Sequence, residues 1–290
     1  MSPGVLQACL AYAMWGLLPL YFHLVAAVAP LDIVLNRSLW SLAFVLALLA
    51  VLRRWTWLRD IARRPRTLGI FAASALLLSS NWLLYVWAVN HGRVVEASLG
   101  YFITPLVNVL LGYFVLQERP RRMQWGAMAI AAAGVLWLAI FAGSLPWVGL
   151  VLAATFGLYG LMRKTAPLGA IEGLALETLL LAPLAAVLVA WRSSQGHSAF
   201  AGDAALRGLL ALSGPLTALP LLLFAAGARR IPLTTLGVLQ YISPTIQFAL
   251  GVWLFREPFG GPRLAGFALI WLALVVYTCE SLLWMRRRDS

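Results

Sequence analysis

Two stretches of this sequence decide the fold: GYFITPLVNVLLGYFVLQE at residues 100–118 and LQYISPTIQFALGVWLFRE at residues 239–257. A shift of 139 residues places Pro105 on Pro244 and also pairs a leucine, a glycine and a terminal glutamate of the two stretches. The alternative is a chance match between two apolar helices, and the proline, glycine and glutamate shared at one offset argue against it. The sequence therefore predicts a chain made of two related halves.

The composition requires an apolar solvent around most of the chain. Of the 290 residues, 62% are hydrophobic and 11% are charged, whereas a soluble domain needs a polar outer shell. Roughly 20 apolar residues in a helix cross a bilayer. Ten such segments cover residues 5–28, 33–52, 68–90, 94–117, 123–142, 146–162, 170–191, 206–228, 232–255 and 263–285. We therefore expect an all-α membrane protein with ten transmembrane helices, as two five-helix repeats over residues 1–142 and 143–290.

The basic residues predict the orientation of these helices. Five helices per repeat is an odd number, so the second repeat must enter the membrane inverted. Most of the 22 basic residues then fall on one side, in the connections 53–66, 119–122, 163–164 and 229–230 and at 286–288. The positive-inside rule assigns that side, and both termini, to the cytoplasm. The net charge of +12 thus reports topology, and no nucleic-acid partner is expected.

The fourth and ninth segments carry the strongest candidates for a solute site. Tyr101, Pro105 and Asn108 share one face of the fourth helix. Gln240, Tyr241, Pro244 and Gln247 are their candidate counterparts in the ninth. Each proline removes one backbone donor, and matched helix breaks in two repeats are typical of a transporter's binding site. A kinked helix whose glycines only permit close packing is the alternative.

Charges inside apolar segments are the next candidates, because a charge at the bilayer centre costs about 3 kcal/mol on insertion scales. Arg37 is a candidate anchor for a substrate carboxylate, and Glu96 is a candidate proton carrier. The alternative is that the two neutralise each other or reach water. Glu177 lies deeper with no cation adjacent in sequence, so we expect either a proton-coupling carboxyl or a neutral packing residue. Glu118 and Glu257 end equivalent helices and predict a gate-closing or helix-fixing role.

Asn81, Trp82 and Tyr85 share one side of the third segment. An amide and aromatic lining suits an aromatic or amphipathic solute. The alternative is a location at the membrane interface, where Trp and Tyr are common.

Long motifs run through both halves: WGLLPLYF from Trp15, NRSLWS from Asn36, NWLLYVWAVNHGRVVEASLGYFITPLVNVLLG from Asn81, FGLYGLMRK from Phe156 and TALPLLLFAAGARRIPL from Thr217. With these motifs the chain resembles the EamA-type members of the drug/metabolite transporter superfamily, and most of all their RarD branch. The resemblance covers nearly the whole chain. It implies ten helices around a central cavity, location in the bacterial inner (cytoplasmic) membrane, and export of small metabolites or drugs.

Other classes of membrane protein fit less well. The chain has no Gly-rich phosphate loop followed by lysine, no metal-ligand cluster and no nucleophile with a base, so neither an ATP-driven pump nor an enzyme is expected. An inverted repeat favours alternating access over a channel. We expect a secondary active exporter of small organic solutes, with or without proton coupling. A flippase for amphiphiles or an exchanger without proton coupling is the alternative. The expected partners are the solute and membrane lipid, without a cofactor or metal.

Overall fold

A computed structural model describes residues 2–61, 63–91, 93–141, 146–196, 203–254 and 261–289, and within these ranges the secondary structure is helical. The helices are α1 (Pro3–Leu24), α2 (Pro30–Leu52), α3 (Thr56–Ile61), α4 (Pro65–Asn90), α5 (Val94–Phe114), α6 (Arg122–Phe141), α7 (Trp147–Thr165), α8 (Ala170–Ser194), α9 (Ala204–Ala228), α10 (Leu233–Gln240), α11 (Ile242–Ala249) and α12 (Gly261–Asp289). A π-helical turn, Leu250–Leu254, follows α11. The prediction of an all-α chain is confirmed.

Eight of these helices are long and apolar enough to cross a membrane: α1, α2, α4, α5, α6, α8, α9 and α12. The sequence predicted ten such helices, and the two predicted segments that are not among the eight are the sixth, which is α7, and the ninth. Arg163 and Lys164 occupy the last turn of α7 and lower its mean hydropathy. The ninth predicted segment is divided at Tyr241 into α10 and α11, each eight residues long. The short helix α3 lies in a stretch that the sequence indicated only as polar.

The two proline-bearing stretches have different backbones. Helix α5 continues through Pro105 to Phe114, so this helix is not interrupted at its proline. The second copy is interrupted at Tyr241, and Pro244 falls in the first turn of α11, where a missing backbone donor removes no helical hydrogen bond. The prediction of a helix break at both prolines is therefore wrong: the helix continues through Pro105, and the break in the second stretch lies at Tyr241, before Pro244.

Close approach of helices depends on glycines. An added Cβ at Gly214 of α9 would overlap the main-chain carbonyl group of Trp40 in α2. At Gly237 of α10 it would lie 2.7 Å from the carbonyl oxygen of Pro105 in α5. Small residues of this kind let membrane helices pack backbone to backbone. The contact at Gly237 joins α10 in the second half of the chain to α5 in the first half.

The Gly214→Ala variant is expected to lose about 1–3 kcal/mol of unfolding free energy, because the new methyl group must displace the main chain of α2. A lower thermal midpoint of the purified protein in detergent would show it. Gly208→Ala on the same helix is the matched control. No heavy atom of the described residues lies within 4 Å of its added Cβ, and alanine favours the helix by up to about 1 kcal/mol. Equal destabilisation by both variants would contradict the packing argument.

Contacts between helix ends define two ends of the bundle. We call the end at which α1 begins the N-side; there Arg230 Nη1 donates to Gln7 Oε1 at 2.5 Å, and Arg54 pairs with Glu172. At the opposite end, the far side, Arg192 in the last turn of α8 makes two hydrogen bonds to the carboxylate of Asp32. The basic stretches that the positive-inside rule assigns to the cytoplasm lie at the N-side: the connections around α3, between α5 and α6 and between α9 and α10, and the last turn of α7 with Arg163 and Lys164.

Candidate functional site

A cavity of about 180 Å³ lies between helices of both halves, with walls from α1, α2, α4, α5, α7, α9, α10 and α11. Helix α1 starts at the N-side and lines the cavity from Tyr12, near its middle, onward. Helix α5 runs in the opposite direction and lines the cavity in its first half, as far as Thr104. The cavity therefore occupies the middle and far-side part of the bundle. Eight of the residues proposed from the sequence border it: Arg37, Asn81, Trp82, Tyr85, Tyr101, Gln240, Pro244 and Gln247. The structure therefore brings most of the predicted solute-binding residues together in one place.

Arg37 is held in a fixed position at the cavity wall. Its Nε donates a 2.8 Å hydrogen bond to Thr217 Oγ1 of α9. Its guanidinium carbon lies 5.6 Å from the ring centroid of Phe22 and 5.4 Å from that of Trp82, within the range of cation–π attraction. No carboxylate that the structure describes forms an ion pair with Arg37. The side chain thus presents a positive charge, already oriented, to the cavity.

The amide groups of the cavity are partly used in holding the helices together. Asn81 Nδ2 donates to Leu152 O and to Thr155 Oγ1 of α7, both at 2.9 Å. Gln247 Nε2 donates to Trp15 O at 3.3 Å. Among the described residues, no donor is bonded to the side-chain oxygens of Asn81 and Gln247, so these oxygens can accept hydrogen bonds from a bound solute.

Three predicted residues lie outside the cavity wall. Asn108 is fully buried, and its Nδ2 donates to Gln240 Oε1 at 3.1 Å, so it positions a cavity residue. Tyr241 Oη donates to Phe102 O at 3.2 Å, and Pro105 lies beside Tyr241 in a separate small crevice. The side chain of Glu96 and residue Glu257 lie outside the described part of the chain.

An aromatic cluster closes the cavity toward the N-side. Trp15 and Phe156 border the cavity, with ring centroids 5.7 Å apart. Phe224 lies 5.6 Å from Trp15 and 5.4 Å from Phe156, and Tyr159 stacks on Phe224 at 6.1 Å. With Tyr12 these rings form what we call the aromatic floor. The sequence held a signal for it, because Trp15-Gly16-Leu17 resembles Phe156-Gly157-Leu158.

Glu177 lies next to the aromatic floor, and although no cation is adjacent to it in sequence, its carboxylate has a buried cation as a neighbour in space. Arg163 Nη1 is 3.6 Å from Glu177 Oε1, and both side chains are buried, with 1% and 0% of their surface exposed. Ser74 Oγ donates to Oε1 at 2.5 Å, and Tyr159 Oη donates to Oε2 at 3.4 Å. Sequence reasoning placed Arg163 in a cytoplasmic connection and missed the pair, because a position at a helix end next to a lysine gives no hint of burial.

A second group of polar contacts, the N-side latch, ties the two halves together. Glu118 accepts hydrogen bonds from the first residues of α10: Leu233 N at 2.6 Å, Thr234 N at 2.9 Å and Thr234 Oγ1 at 2.8 Å. Although Glu118 follows the end of α5, its carboxylate meets the start of α10, where the helix dipole favours negative charge.

Beside the N-side latch, two cations cap helix ends and connections within the second half of the chain. Lys164 Nζ donates to Ala228 O at 3.1 Å and Ile231 O at 2.5 Å. Arg229 Nη1 donates to Ala166 O at 2.6 Å and Leu168 O at 2.8 Å. The partner of the Glu118 carboxylate is thus a helix N-terminus in the other half of the chain.

Sequence reasoning also missed Thr104, Thr217 and Ser243, which border the cavity. A small hydroxyl residue in an apolar helix can bond to its own backbone, as Thr104 Oγ1 does to Gly100 O, and so gives no sign of its surroundings. Thr217 is the most informative of the three because it fixes Arg37.

A helical membrane protein with a polar and aromatic internal cavity is the architecture of a solute transporter, and known proteins agree. The chain matches the EamA-like transporter family over residues 2–140. It is 47% identical over 285 residues to protein RarD of Streptomyces exfoliatus, covering 98% of this chain and 90% of that protein. It is 45% identical over 293 residues to the uncharacterized transporter YojE of Bacillus subtilis (strain 168), covering 99% and 97%.

The chain is thus a multi-pass membrane transporter. It belongs to the EamA-like transporter family, in the RarD branch of EamA-type drug/metabolite transporters. A protein of known crystal structure, 21% identical, shares the fold with a TM-score of 0.72 over 100% of both chains.

Proposed function

We propose that the chain is a secondary active transporter that exports small organic metabolites by alternating access. In this proposal ten helical segments span the bacterial inner membrane as two inverted repeats, residues 1–142 and 143–290, with both termini in the cytoplasm. Helix α7 and the interrupted α10–α11 segment count among the ten. Both border the cavity. Arg163 of α7 is buried within the protein, and Gln240 and Ser243, on either side of the break at Tyr241, line the cavity, so this charge and this broken backbone are shielded from lipid.

The observation that carries the proposal is the one-sided placement of the cavity. It reaches only the middle and far-side part of the bundle, while the aromatic floor and the N-side latch close the other end. Alternating access needs a site near the midplane that is closed on one side at a time. With the N-side in the cytoplasm, the arrangement corresponds to a state that is closed toward the cytoplasm.

The size of the cavity bears on the solute. At about 180 Å³ it is smaller than the roughly 300 Å³ at which sites for drug-sized ligands begin. A small metabolite fits this state better than a bulky drug or the body of a lipid. The alternative of an amphiphile flippase therefore receives no support from the geometry.

Proton coupling is assigned to Glu177 within this proposal. A buried carboxyl group that already interacts with Arg163, Ser74 and Tyr159 can exist with or without its proton, provided these partners rearrange. Through Tyr159 the carboxyl group touches the aromatic floor, which must move for the solute to pass. Glu96, the other proposed proton carrier, stays a candidate on sequence grounds alone.

Reconstitution of the full chain in proteoliposomes tests the proposed function. We expect saturable uptake of at least one member of a set of small anionic, neutral and cationic metabolites, driven by an imposed pH gradient. The Ser243→Trp variant should abolish it by filling the cavity. The Glu177→Gln change leaves the buried Arg163 without its carboxylate, so flux is compared per folded protein, verified by thermal melting. The folded variant should keep solute exchange but no longer respond to the gradient, because its amide cannot release a proton.

Two matched controls accompany these variants. Ser80→Trp places an indole on an exposed part of α4 and should transport normally. Glu172→Gln removes a carboxylate on the same helix as Glu177, at the N-side surface, and should keep the pH response. Flux that survives Ser243→Trp would argue against the cavity as the solute path. An unaltered gradient response in Glu177→Gln would remove this residue from the coupling step.

A further inference from the structure

We infer that the solute is a small carboxylate anion with a flat apolar body and without an ammonium group. This inference rests on the proposed function and specifies the substrate class of the same cavity. It depends on the hydrogen bonding of Arg37, on the charges in the described cavity wall and on the aromatic floor.

The first step concerns the hydrogen-bond donors of Arg37 that have no partner among the described residues. Thr217 Oγ1 takes Nε, and the rings of Phe22 and Trp82 hold the plane of the guanidinium group. Among the described residues, no acceptor is bonded to the terminal Nη1 and Nη2 atoms, and the side chain borders the cavity. Two adjacent guanidinium N–H groups match the two oxygens of a carboxylate.

The second step concerns charge. The described cavity wall contains Arg37 as a charged residue and otherwise amide, hydroxyl, aromatic and aliphatic side chains. A cation kept within a membrane-embedded cavity is costly, and a bound anion offsets that cost. A solute ammonium group would find no carboxylate in the described wall. A zwitterion should therefore bind more weakly than the matching anion.

The third step concerns the apolar body of the solute. Trp15 and Phe156 present rings to the cavity on its N-side, and Tyr12 lies beside them. Aromatic faces and edges favour flat apolar groups, and the cavity volume restricts these to a small size. The carboxylate at Arg37 and the ring at the aromatic floor together define the expected pose.

Four probes with the same phenyl ring separate the charge classes: 3-phenylpropionate, its neutral amide 3-phenylpropanamide, phenylalanine and 2-phenylethylamine. Binding to the purified full chain can be measured by calorimetry in detergent. We expect 3-phenylpropionate to bind at least about tenfold more tightly than each of the other three, because its carboxylate can form a hydrogen-bonded charge pair with Arg37. In Arg37→Gln this preference should disappear, with acid and amide binding equally.

Arg59→Gln is the matched control, because Arg59 is exposed on α3 at the N-side, whereas the cavity occupies the middle and far-side part of the bundle, and it should keep the preference. Thermal melting of Arg37→Gln verifies folding, and Thr217→Val provides a second variant. This variant keeps the charge of Arg37 but removes the acceptor of its Nε. It should weaken the binding of 3-phenylpropionate severalfold more than the binding of the amide.

The outcomes separate this inference from the proposed function. Equal binding of acid and amide by the unmodified protein, or tighter binding of phenylalanine or 2-phenylethylamine, overturns the anion class; a solute flux blocked by Ser243→Trp would then still support transport. Binding of none of the four probes also overturns it. Loss of every flux in the proteoliposome experiment, with the acid preference intact, would reject the transport cycle while leaving an anion-binding cavity.

Discussion

The Arg163→Met variant is expected to lose about 3–5 kcal/mol of unfolding free energy, the largest stability effect that the structure predicts. The change leaves the carboxyl group of Glu177 buried without its cation, whereas both side chains are almost fully removed from solvent in the native chain. It also removes the hydrogen bond from Arg163 Nη2 to Ala170 O at 3.0 Å. A steep fall in the thermal midpoint and in the yield of monodisperse protein would be the measured result.

A double variant separates the ion pair from the other contacts of Arg163. Arg163→Met combined with Glu177→Leu removes both charges, and apolar replacement of a buried pair is often close to neutral. Most of the lost stability should therefore return, although Ser74 and Tyr159 lose their acceptor. A double variant as unstable as Arg163→Met would show that Arg163 acts through Ala170 and its packing on Phe71 rather than through Glu177.

The Glu118→Ala variant is expected to open the N-side. The carboxylate accepts three hydrogen bonds at the start of α10, and bonds to a charged group contribute about 1.5–3 kcal/mol each. Losing even one shifts the balance between closed and open states by roughly 10- to 150-fold. A cysteine introduced in place of Ala228, whose side chain is fully buried, should then react with a maleimide at least about tenfold faster.

The background for this measurement lacks the native thiols Cys9 and Cys279, both replaced by serine. Glu172→Ala is the control, because it removes an N-side carboxylate whose partner Arg54 is largely exposed, and exposed ion pairs contribute little. Labelling should stay slow in the control. A labelling rate that does not change when the Glu118 carboxylate is removed would mean that the N-side latch does not keep this end closed.

Periodicity and composition predicted the helices well because uninterrupted apolar runs of bilayer length rarely occur outside membrane-spanning helices. The proposed residues Arg37, Asn81, Trp82 and Tyr101 border one cavity, which is one of few favourable surroundings for polar and aromatic side chains on an apolar helix. The family was predicted correctly from the resemblance to the RarD branch. The interruption at Tyr241 was displaced by three residues from the proline that signalled it.

What the sequence left out depends on contacts between distant segments. Arg163 reads as a loop residue because it stands beside Lys164 at a helix end, yet it is buried against α4 and α8. Glu118 reads as a helix C-terminal residue, and only the packing of α5 against α10 shows that it caps another helix. Local pattern carries no information on such pairings.

Tyr159 connects the barrier beneath the solute with the proposed proton site. One face of its ring lies against Phe224 in the barrier beneath the solute, while its hydroxyl group touches the buried acid. Any movement that lets cargo through must also disturb the surroundings of that acid. In the proposed proton-coupled cycle, such a carrier would rarely move one without the other, because solute passage and the change of protonation both require Tyr159 to move.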